Sequence, residues 1–155
     1  MININFAKTE HIDLISDFEQ KYFYDEAYSK NTITDILNDN YILKNNINIF
    51  VATNQYDELI GYIIFTVTDD YTDVLKIFIR DSDRRNGYAS QLLNRIIDLA
   101  VRFKSKKIMI EVRSKNLNAI EFYKSNNFKE ISLRKNYYSN PSDDAIVFER
   151  NIIQC

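Results

Sequence analysis

The stretch DVLKIFIRDSDRRNGYASQLL, residues 73–93, decides the fold class of this 155-residue chain. Its first eight residues are mostly aliphatic and aromatic and predict a strand, whereas the apolar residues from Ala89 onward follow the i, i+3, i+4 spacing of a helix with one buried face. The polar loop between them ends at Gly87. This is one of only two glycines in the chain, where average usage of roughly 7% would give about eleven. A strand, a charged loop and a helix in succession indicate an α/β domain.

Gly87 has two interpretations on this stretch alone. A helix N-terminus presents unpaired N–H groups and the positive end of the helix dipole, so it can bind a phosphate group. The missing Cβ would let a pyrophosphate approach the backbone, and Arg84 and Arg85 supply positive charge nearby. Alternatively, Gly87 only starts the helix and the arginines form a solvated face, because short glycine patterns are common by chance.

The rest of the chain predicts a single α/β domain over residues 1–155 with a mixed sheet. Three β-branched and aromatic runs between short polar turns predict an antiparallel meander over residues 47–80. The order of the predicted elements is β α α β β β α β α β β. Strands are predicted at 1–6, 47–53, 58–68, 73–80, 107–112, 128–134 and 144–152, and helices after Thr9, after Thr32 or Thr34, from 87 onward and at 116–126.

The composition excludes several classes of protein. The single cysteine, Cys155, rules out a disulfide framework or a thiolate metal cluster within one chain, so we expect no metal and a cytoplasmic protein. No apolar run approaches the eighteen or so residues of a membrane span, and the amino terminus lacks the features of a secretion signal. A net charge of -2 argues against direct binding of nucleic acid. The single histidine, His11, is expected to be a solvated helix residue rather than a catalytic base.

Several spaced motifs carry a resemblance to one family. Arg84, Gly87 and Ala89 match the acetyl-CoA loop Arg/Gln-x-x-Gly-x-Gly/Ala of the GCN5-related N-acetyltransferase (GNAT) superfamily. A closer resemblance, to the RimI-like group of bacterial ribosomal-protein alanine N-acetyltransferases, covers residues 58–152. It is carried by the stretches IEVRSKNLNAIEFYKSNNF (110–128), LRKNYY (133–138) and DAIVFERNI (144–152). The resemblance implies a GNAT fold: about seven strands in a mixed, mostly antiparallel sheet with about four helices, and splayed parallel strands at the acetyl-CoA site.

The resemblance also implies which residues bind acetyl-CoA. The pantetheine arm would pair with the backbone of Ile77, Phe78 and Ile79, next to the splayed strands. The pyrophosphate would lie on the loop and first helical turn formed by Arg84, Arg85, Asn86, Gly87, Tyr88, Ala89 and Ser90. Asn116 matches an asparagine that contacts CoA, and it is independently a good N-cap for the helix that follows it.

Two residues match the catalytic pair of the family. Glu111 matches the general base, acting through a water, although it could instead mark a strand edge or pair with Arg113. Tyr123 matches the acid that protonates the departing CoA thiolate. It could instead be a core aromatic beside Phe122, since adjacent helical side chains point about 100° apart. Tyr137 and Tyr138 match tyrosines on the acceptor side, and the alternative is two aromatics packed on the sheet edge.

Two departures from the family pattern bear on the substrate. Asn127 stands where a helix-ending glycine is usual, and asparagine tolerates the same left-handed backbone. Residues 18–33, FEQKYFYDEAYSKNTI, lack the Phe-Pro-Trp-Ser type signature that helps to form the peptide site of RimI-like enzymes.

The resemblance predicts acetyl transfer to the N-terminal α-amine, of alanine type, of a protein. The candidate target is a ribosomal protein. The alternative acceptors are a small amine, a polyamine, an antibiotic or a lysine side chain. A different class, a non-catalytic module that binds CoA or the ribosome, would use the basic residues between 80 and 107 to touch RNA.

Overall fold

Seven strands form one sheet and four α-helices flank it in residues 1–37 and 46–152, the part of the chain that the computed structural model describes. Cys155 lies outside these residues. The strands are β1 (Asn3–Phe6), β2 (Ile47–Thr53), β3 (Leu59–Val67), β4 (Tyr71–Ile79), β5 (Lys107–Arg113), β6 (Lys129–Tyr138) and β7 (Asp143–Asn151). The helices are α1 (Ile12–Tyr22), α2 (Lys30–Leu37), α3 (Tyr88–Arg102) and α4 (Leu117–Ser125). The predicted order of strands and helices is confirmed.

The sheet has the strand order β1-β2-β3-β4-β5-β7-β6 and is mixed. Neighbouring strands are antiparallel except β4 and β5, which are parallel because α3 crosses between them. The chain is therefore an antiparallel sheet with one parallel pair at its centre. This confirms the fold class that the sequence predicts.

The two faces of the sheet are buried by different helices. α3 and α4 pack on one face, where Leu92 and Ile96 meet strand residues such as Ile63 and Ile110 in the larger apolar cluster. α1 and α2 pack on the other face in a second cluster that contains Ile15. Because successive side chains of a strand alternate between faces, β2, β3 and β4 each contribute to both clusters.

A β-bulge interrupts the alternation in β4. Ile64 of β3 pairs with Lys76 and Phe65 pairs with Val74, so Leu75 is the extra residue. Val74 belongs to the cluster under α3 and α4, whereas Leu75 packs on the cluster under α1 and α2. The bulge allows Lys76 to point to the same face as Leu75, and its ammonium group contacts Glu19 of α1.

Three local expectations in the amino-terminal region are wrong. Thr9 does not cap α1 but starts a short 3-10 helix that ends at His11. His11 is 8% exposed rather than solvated, because its Nδ1 accepts a hydrogen bond from the Lys8 N–H at 2.9 Å, and burial lowers its pKa. α2 begins at Lys30, before the predicted threonines, because the Ser29 hydroxyl accepts a hydrogen bond from the N–H of Thr32 at 3.1 Å.

Candidate active site

β4 and β5 separate at the middle of the sheet. Tyr71–Val74 of β4 pair with residues 107–110 of β5. Beyond these residues β4 remains paired with β3 only, and β5 with β7 only. The bulge at Leu75 begins one residue beyond the last pair. The edge of β4 at Ile77, Phe78 and Ile79 therefore has no strand partner on the β5 side within the described residues. This is the gap that the resemblance predicts for a pantetheine arm.

The loop between β4 and α3 is held by its own polar side chains. Arg84 forms an ion pair with Asp81 at 2.9 Å, and its Nε donates to the carbonyl of Ile79 at 3.1 Å. The Asn86 amide donates to the carbonyl of Asp83 at 3.0 Å. Arg85 is exposed and makes no ion pair with any described residue. Arg84 therefore shapes the loop, and Arg85 is the arginine with a free guanidinium for an anion.

The first turn of α3 suits a phosphate group. Gly87 is the N-cap residue and has φ +75, and no side chain in the described chain caps the helix. A Cβ built on Gly87 would meet nothing within 4 Å, so the space above the backbone is open. The first turn carries no acidic residue, and Tyr88, Ala89 and Ser90 begin the helix there. The donors and the charge in this region fit the pyrophosphate of CoA.

A cavity of about 410 Å³ opens on the α1 and α2 face of the sheet, beside the point where β4 and β5 separate. We call it the acceptor-side cavity. Its walls come from β4, β5, the end of β6 and the segment between α1 and α2. The lining residues are Asp25, Glu26, Tyr28, Asp73, Val74, Leu75, Lys76, Glu111, Tyr137, Tyr138 and Ser139.

Glu111 lies in this cavity as the centre of a polar group. It alternates along β5 with the buried Ile110 and Val112, so its side chain points to the α1 and α2 face. Its carboxylate is 3.2 Å from the Arg134 guanidinium. The Tyr137 hydroxyl also interacts with this carboxylate, which raises the pKa of that tyrosine. Pairing of Glu111 with Arg113, the alternative considered above, does not occur, because Arg113 pairs with Glu26.

Tyr137 and Tyr138 both line the cavity. Their rings meet edge to face with centroids 5.0 Å apart. The Arg113 guanidinium lies 4.2 Å from the centre of the Tyr138 ring, and burial raises the pKa of Tyr138 to about 12. Both tyrosines thus lie at the end of the edge strand β6 and line the same cavity as Glu111.

Tyr123 lies on the other face of the sheet. It is 4% exposed, belongs to the cluster under α3 and α4, and packs against Phe128 with ring centroids 5.4 Å apart. Burial raises its pKa, and no described residue hydrogen-bonds to its hydroxyl. The structure therefore does not bring Tyr123 and Glu111 together in one cavity.

The ends of α4 agree with the sequence. The Asn116 side chain accepts a hydrogen bond from the N–H of Ala119 at 3.2 Å, so Asn116 is the N-cap. Asn127 follows the helix with φ +65, the left-handed conformation predicted for it.

The sequence analysis missed a buried ion pair behind the cavity. The Glu19 carboxylate is fully buried and lies 2.5 Å from Nζ of Lys76. Glu19 also accepts hydrogen bonds from the Tyr62 hydroxyl at 2.8 Å and from the N–H of Tyr28 at 2.9 Å. Nζ of Lys76 also donates to the carbonyl of Glu26. These contacts tie residues 26–28 to β4 and so build one wall of the cavity.

Asp73 of β4 is a second residue that was missed. It lines the cavity with Glu111, and burial and the charge of Glu111 raise its pKa to about 6. The signal in the sequence was a pair of charged residues, Asp73 and Lys76, inside an otherwise apolar strand.

Two further observations concern membranes and metal ions. No helix within residues 1–37 and 46–152 has the length and hydropathy needed to cross a membrane. In the same residues, no cluster of three or more His, Cys, Asp or Glu side chains could hold a metal ion.

Comparison with known proteins agrees with this geometry. The model of the Acetyltransferase (GNAT) family matches residues 12–128. An uncharacterised protein of Mycobacterium leprae is 33% identical over 113 residues, covering 70% of this chain and 30% of that protein. The [ribosomal protein bS18]-alanine N-acetyltransferase of Escherichia coli K12 is 30% identical over 95 residues, covering 60% of this chain and 64% of the enzyme. The chain thus matches less than two thirds of the length of either curated relative.

Solved structures share the whole fold. The crystal structure of the E. coli ribosomal-protein-S18-alanine N-acetyltransferase superposes with a TM-score of 0.82 at 24% identity, covering 100% of this chain and 96% of that one. Arabidopsis thaliana NAA60 in complex with a bisubstrate analogue gives a TM-score of 0.85 at 15% identity, with both chains covered completely. At these identities the likeness establishes the fold.

Proposed function

The chain belongs to the acetyltransferase (GNAT) family, and we propose that it transfers the acetyl group of acetyl-CoA to the N-terminal α-amine, of alanine type, of a protein. A cytoplasmic ribosomal protein is the candidate target. The observation that carries the proposal is the position of Glu111. It lies in an acceptor-side cavity at the separation of β4 and β5, together with Tyr137. The similarity to the E. coli bS18-alanine enzyme supports the choice of acceptor.

Acetyl-CoA, when bound, supplies a thioester whose carbonyl carbon is open to attack by an amine. The N–H groups of the first turn of α3 and the Arg85 guanidinium hold the pyrophosphate, and the free edge of β4 at residues 77–79 holds the pantetheine arm. A backbone N–H on that edge polarises the thioester carbonyl, and such a donor is worth about 3 kcal/mol in a transition state. Asn116 contacts the CoA as well as capping α4.

Glu111 accepts the proton of the acceptor ammonium group through a water, which leaves the amine lone pair free to attack. Tyr123 returns a proton to the departing thiolate from the opposite face of the sheet. Burial of the side chain raises the pKa of its hydroxyl, which therefore keeps its proton at neutral pH until a base forms beside it. Tyr137 and Tyr138 orient the acceptor in the cavity.

The energetics of deprotonation favour an α-amine. At pH 7 an α-amino group with a pKa of about 7.7 to 8.0 loses its proton at a cost of about 1 kcal/mol, whereas lysine at about 10.4 costs roughly 4.6 kcal/mol. A single carboxylate acting through water can more easily supply the free energy needed to deprotonate an α-amine. The higher cost for lysine slows its acetylation but does not prevent it, so the test must include lysine.

A polyamine is the second candidate acceptor, and one observation favours it. Four carboxylates line the cavity, those of Asp25, Glu26, Asp73 and Glu111, which suits a flexible polycation as well as an ammonium terminus.

A panel of acceptors separates the candidates. The protein is incubated with acetyl-CoA and one of three acceptors: a peptide with a free N-terminal alanine, the same peptide with a blocked terminus and one lysine, or spermidine. Mass spectrometry identifies the acetylated nitrogen. We expect acetylation of the free alanine peptide and at least a hundredfold lower activity for Glu111→Gln, the lower end of what a general base contributes. Acetylation of spermidine alone would overturn the proposal.

A further inference from the structure

Asp73 and Glu111 face the same cavity from neighbouring strands. Asp73 lies opposite Met109 in the parallel pairing of β4 and β5, and Glu111 is two residues beyond Met109. Residues two apart on a strand share a face, and so do residues directly opposite in a pair. Both carboxylates therefore project towards the α1 and α2 face, and both line the acceptor-side cavity.

The two carboxylates differ in what neutralises them. Glu111 has the Arg134 guanidinium at 3.2 Å. Asp73 is half-buried, and its carboxylate forms no hydrogen bond or ion pair with another residue in the described part of the chain. A partly desolvated carboxylate without a counter-ion is unfavourable, and an acceptor ammonium would supply the missing charge.

Among the described residues, the one cation of the cavity wall and the two arginines beside it are already paired. Lys76 is held by Glu19 and by the carbonyl of Glu26. Arg113 pairs with Glu26, and Arg134 pairs with Glu111. The remaining titratable groups of the wall are acidic or phenolic: Asp25, Tyr28, Tyr137 and Tyr138.

We propose that Asp73 is the acceptor-binding carboxylate of this enzyme, which holds the incoming ammonium group by an ion pair while Glu111 takes its proton. The inference rests on the proposed function of the cavity as the acceptor site. It divides two tasks between two carboxylates: Asp73 contributes to acceptor affinity, and Glu111, which pairs with Arg134, contributes to proton transfer. The ion pair with Asp73 is released as the acceptor nitrogen loses its charge.

If Asp73 binds the acceptor in this way, acceptor affinity and protein stability should both depend on pH. Burial and Glu111 raise the pKa of Asp73 to about 6, and Arg134 opposes them. Asp73 is ionised above about pH 6 and loses its charge below it, so acceptor affinity should fall as the pH drops through 6. Because the same carboxylate is costly to ionise in the folded state, removing its charge should stabilise the protein at pH 8 and have little effect at pH 4.

The test compares Asp73→Asn with a matched control, Asp98→Asn. Asp98 is exposed on α3, away from the cavity, so its variant should match the parent protein. For the N-terminal alanine peptide we expect Asp73→Asn to raise KM by about 10- to 100-fold with a smaller change in kcat, the loss expected for a charge-assisted hydrogen bond. The fall of kcat/KM through pH 6 should also disappear from its profile.

Binding without turnover gives an independent readout. Calorimetry with CoA present measures the affinity of the alanine peptide and of the same peptide with an acetylated terminus. Asp73→Asn should weaken the first and leave the second unchanged, because only the free terminus carries a charge. Thermal unfolding at pH 8 should give a melting temperature at or above that of the parent.

Three outcomes would overturn the inference. They are a KM within twofold of the parent, an equal loss of affinity for both peptides, and a lower melting temperature with a loss of activity for every acceptor. If the acceptor panel yields only acetylated spermidine, the proposed function fails but Asp73 can still be tested, because the same comparison then uses spermidine.

Discussion

Substituting Lys76 by methionine should strongly destabilise the protein. The change leaves the Glu19 carboxylate, 0% exposed, without the counter-ion that lies 2.5 Å away and is itself only 10% exposed. Methionine keeps the length and apolar character of the lysine stem, so the loss is mainly one of charge. Breaking a buried pair in this way costs about 3 to 5 kcal/mol. For a domain of this size, a shift of about 2 to 4 °C per kcal/mol gives a melting temperature lower by about 6 to 20 °C.

Urea denaturation of three variants tests the origin of the loss. Lys106→Met is the control, because Lys106 forms an ion pair with Asp70 in which the side chains are 74% and 77% exposed, and it should change the free energy of unfolding little. The double variant Glu19→Gln/Lys76→Met should recover part of the loss, since the neutral amide still accepts hydrogen bonds and leaves no buried charge. If Lys76→Met is no less stable than Lys106→Met, the buried ion pair does not contribute as argued.

Three further substitutions test the cofactor side and the fold. Gly87→Val, at φ +75, should weaken CoA binding by about tenfold or more in calorimetry, whereas Gly87→Asn, which tolerates that backbone, should lose less; equal affinity of all three proteins would refute the phosphate site. Gly61→Ala places a Cβ 2.4 Å from the Phe78 carbonyl oxygen and should cost about 1 to 3 kcal/mol in denaturant unfolding, so an unchanged midpoint would contradict the close approach. Asn116→Ala removes the cap of the Ala119 N–H and should cost about 1 kcal/mol, and a smaller loss for Asn116→Ser would identify the cap as the cause.

The sequence predicted the central strands of the sheet well, because their side chains are apolar and the turns that join them are short and polar. β6 is an edge strand and was predicted to end at 134, but it continues to Tyr138. The residues that follow Arg134 are mostly exposed and include a register shift, so they show no alternation of apolar and polar side chains. Edge strands with both faces exposed carry little periodic signal, and that explains the missed boundary.

The bulge in β4 explains why the ion pair between Lys76 and Glu19 was missed. Strict alternation from Val74 would place Lys76 on the face of α3 and α4, far from α1. The extra residue at Leu75 reverses the alternation, so Lys76 reaches Glu19 and Phe78 joins the cluster under α1 and α2. Nothing in the order of these residues marks a bulge, since every one of them fits a regular strand. Glu111 was predicted because it lies in a sequence motif of β5. Asp73 lies in no motif, and only its position in the cavity beside Glu111 identifies it as a candidate.

The proposed acid and base lie on opposite faces of the sheet, and this constrains how the two substrates enter. Tyr123 and the first turn of α3 belong to one face, and Glu111 with Tyr137 belongs to the other. A thioester bound along α3 and an amine bound in the acceptor-side cavity can meet only where β4 and β5 have separated, beyond Val74. The two proposed binding regions are thus built from different elements and share only the edge of β4. Changes in the cavity should therefore alter acceptor KM with CoA affinity unchanged, and changes at the start of α3 should do the reverse.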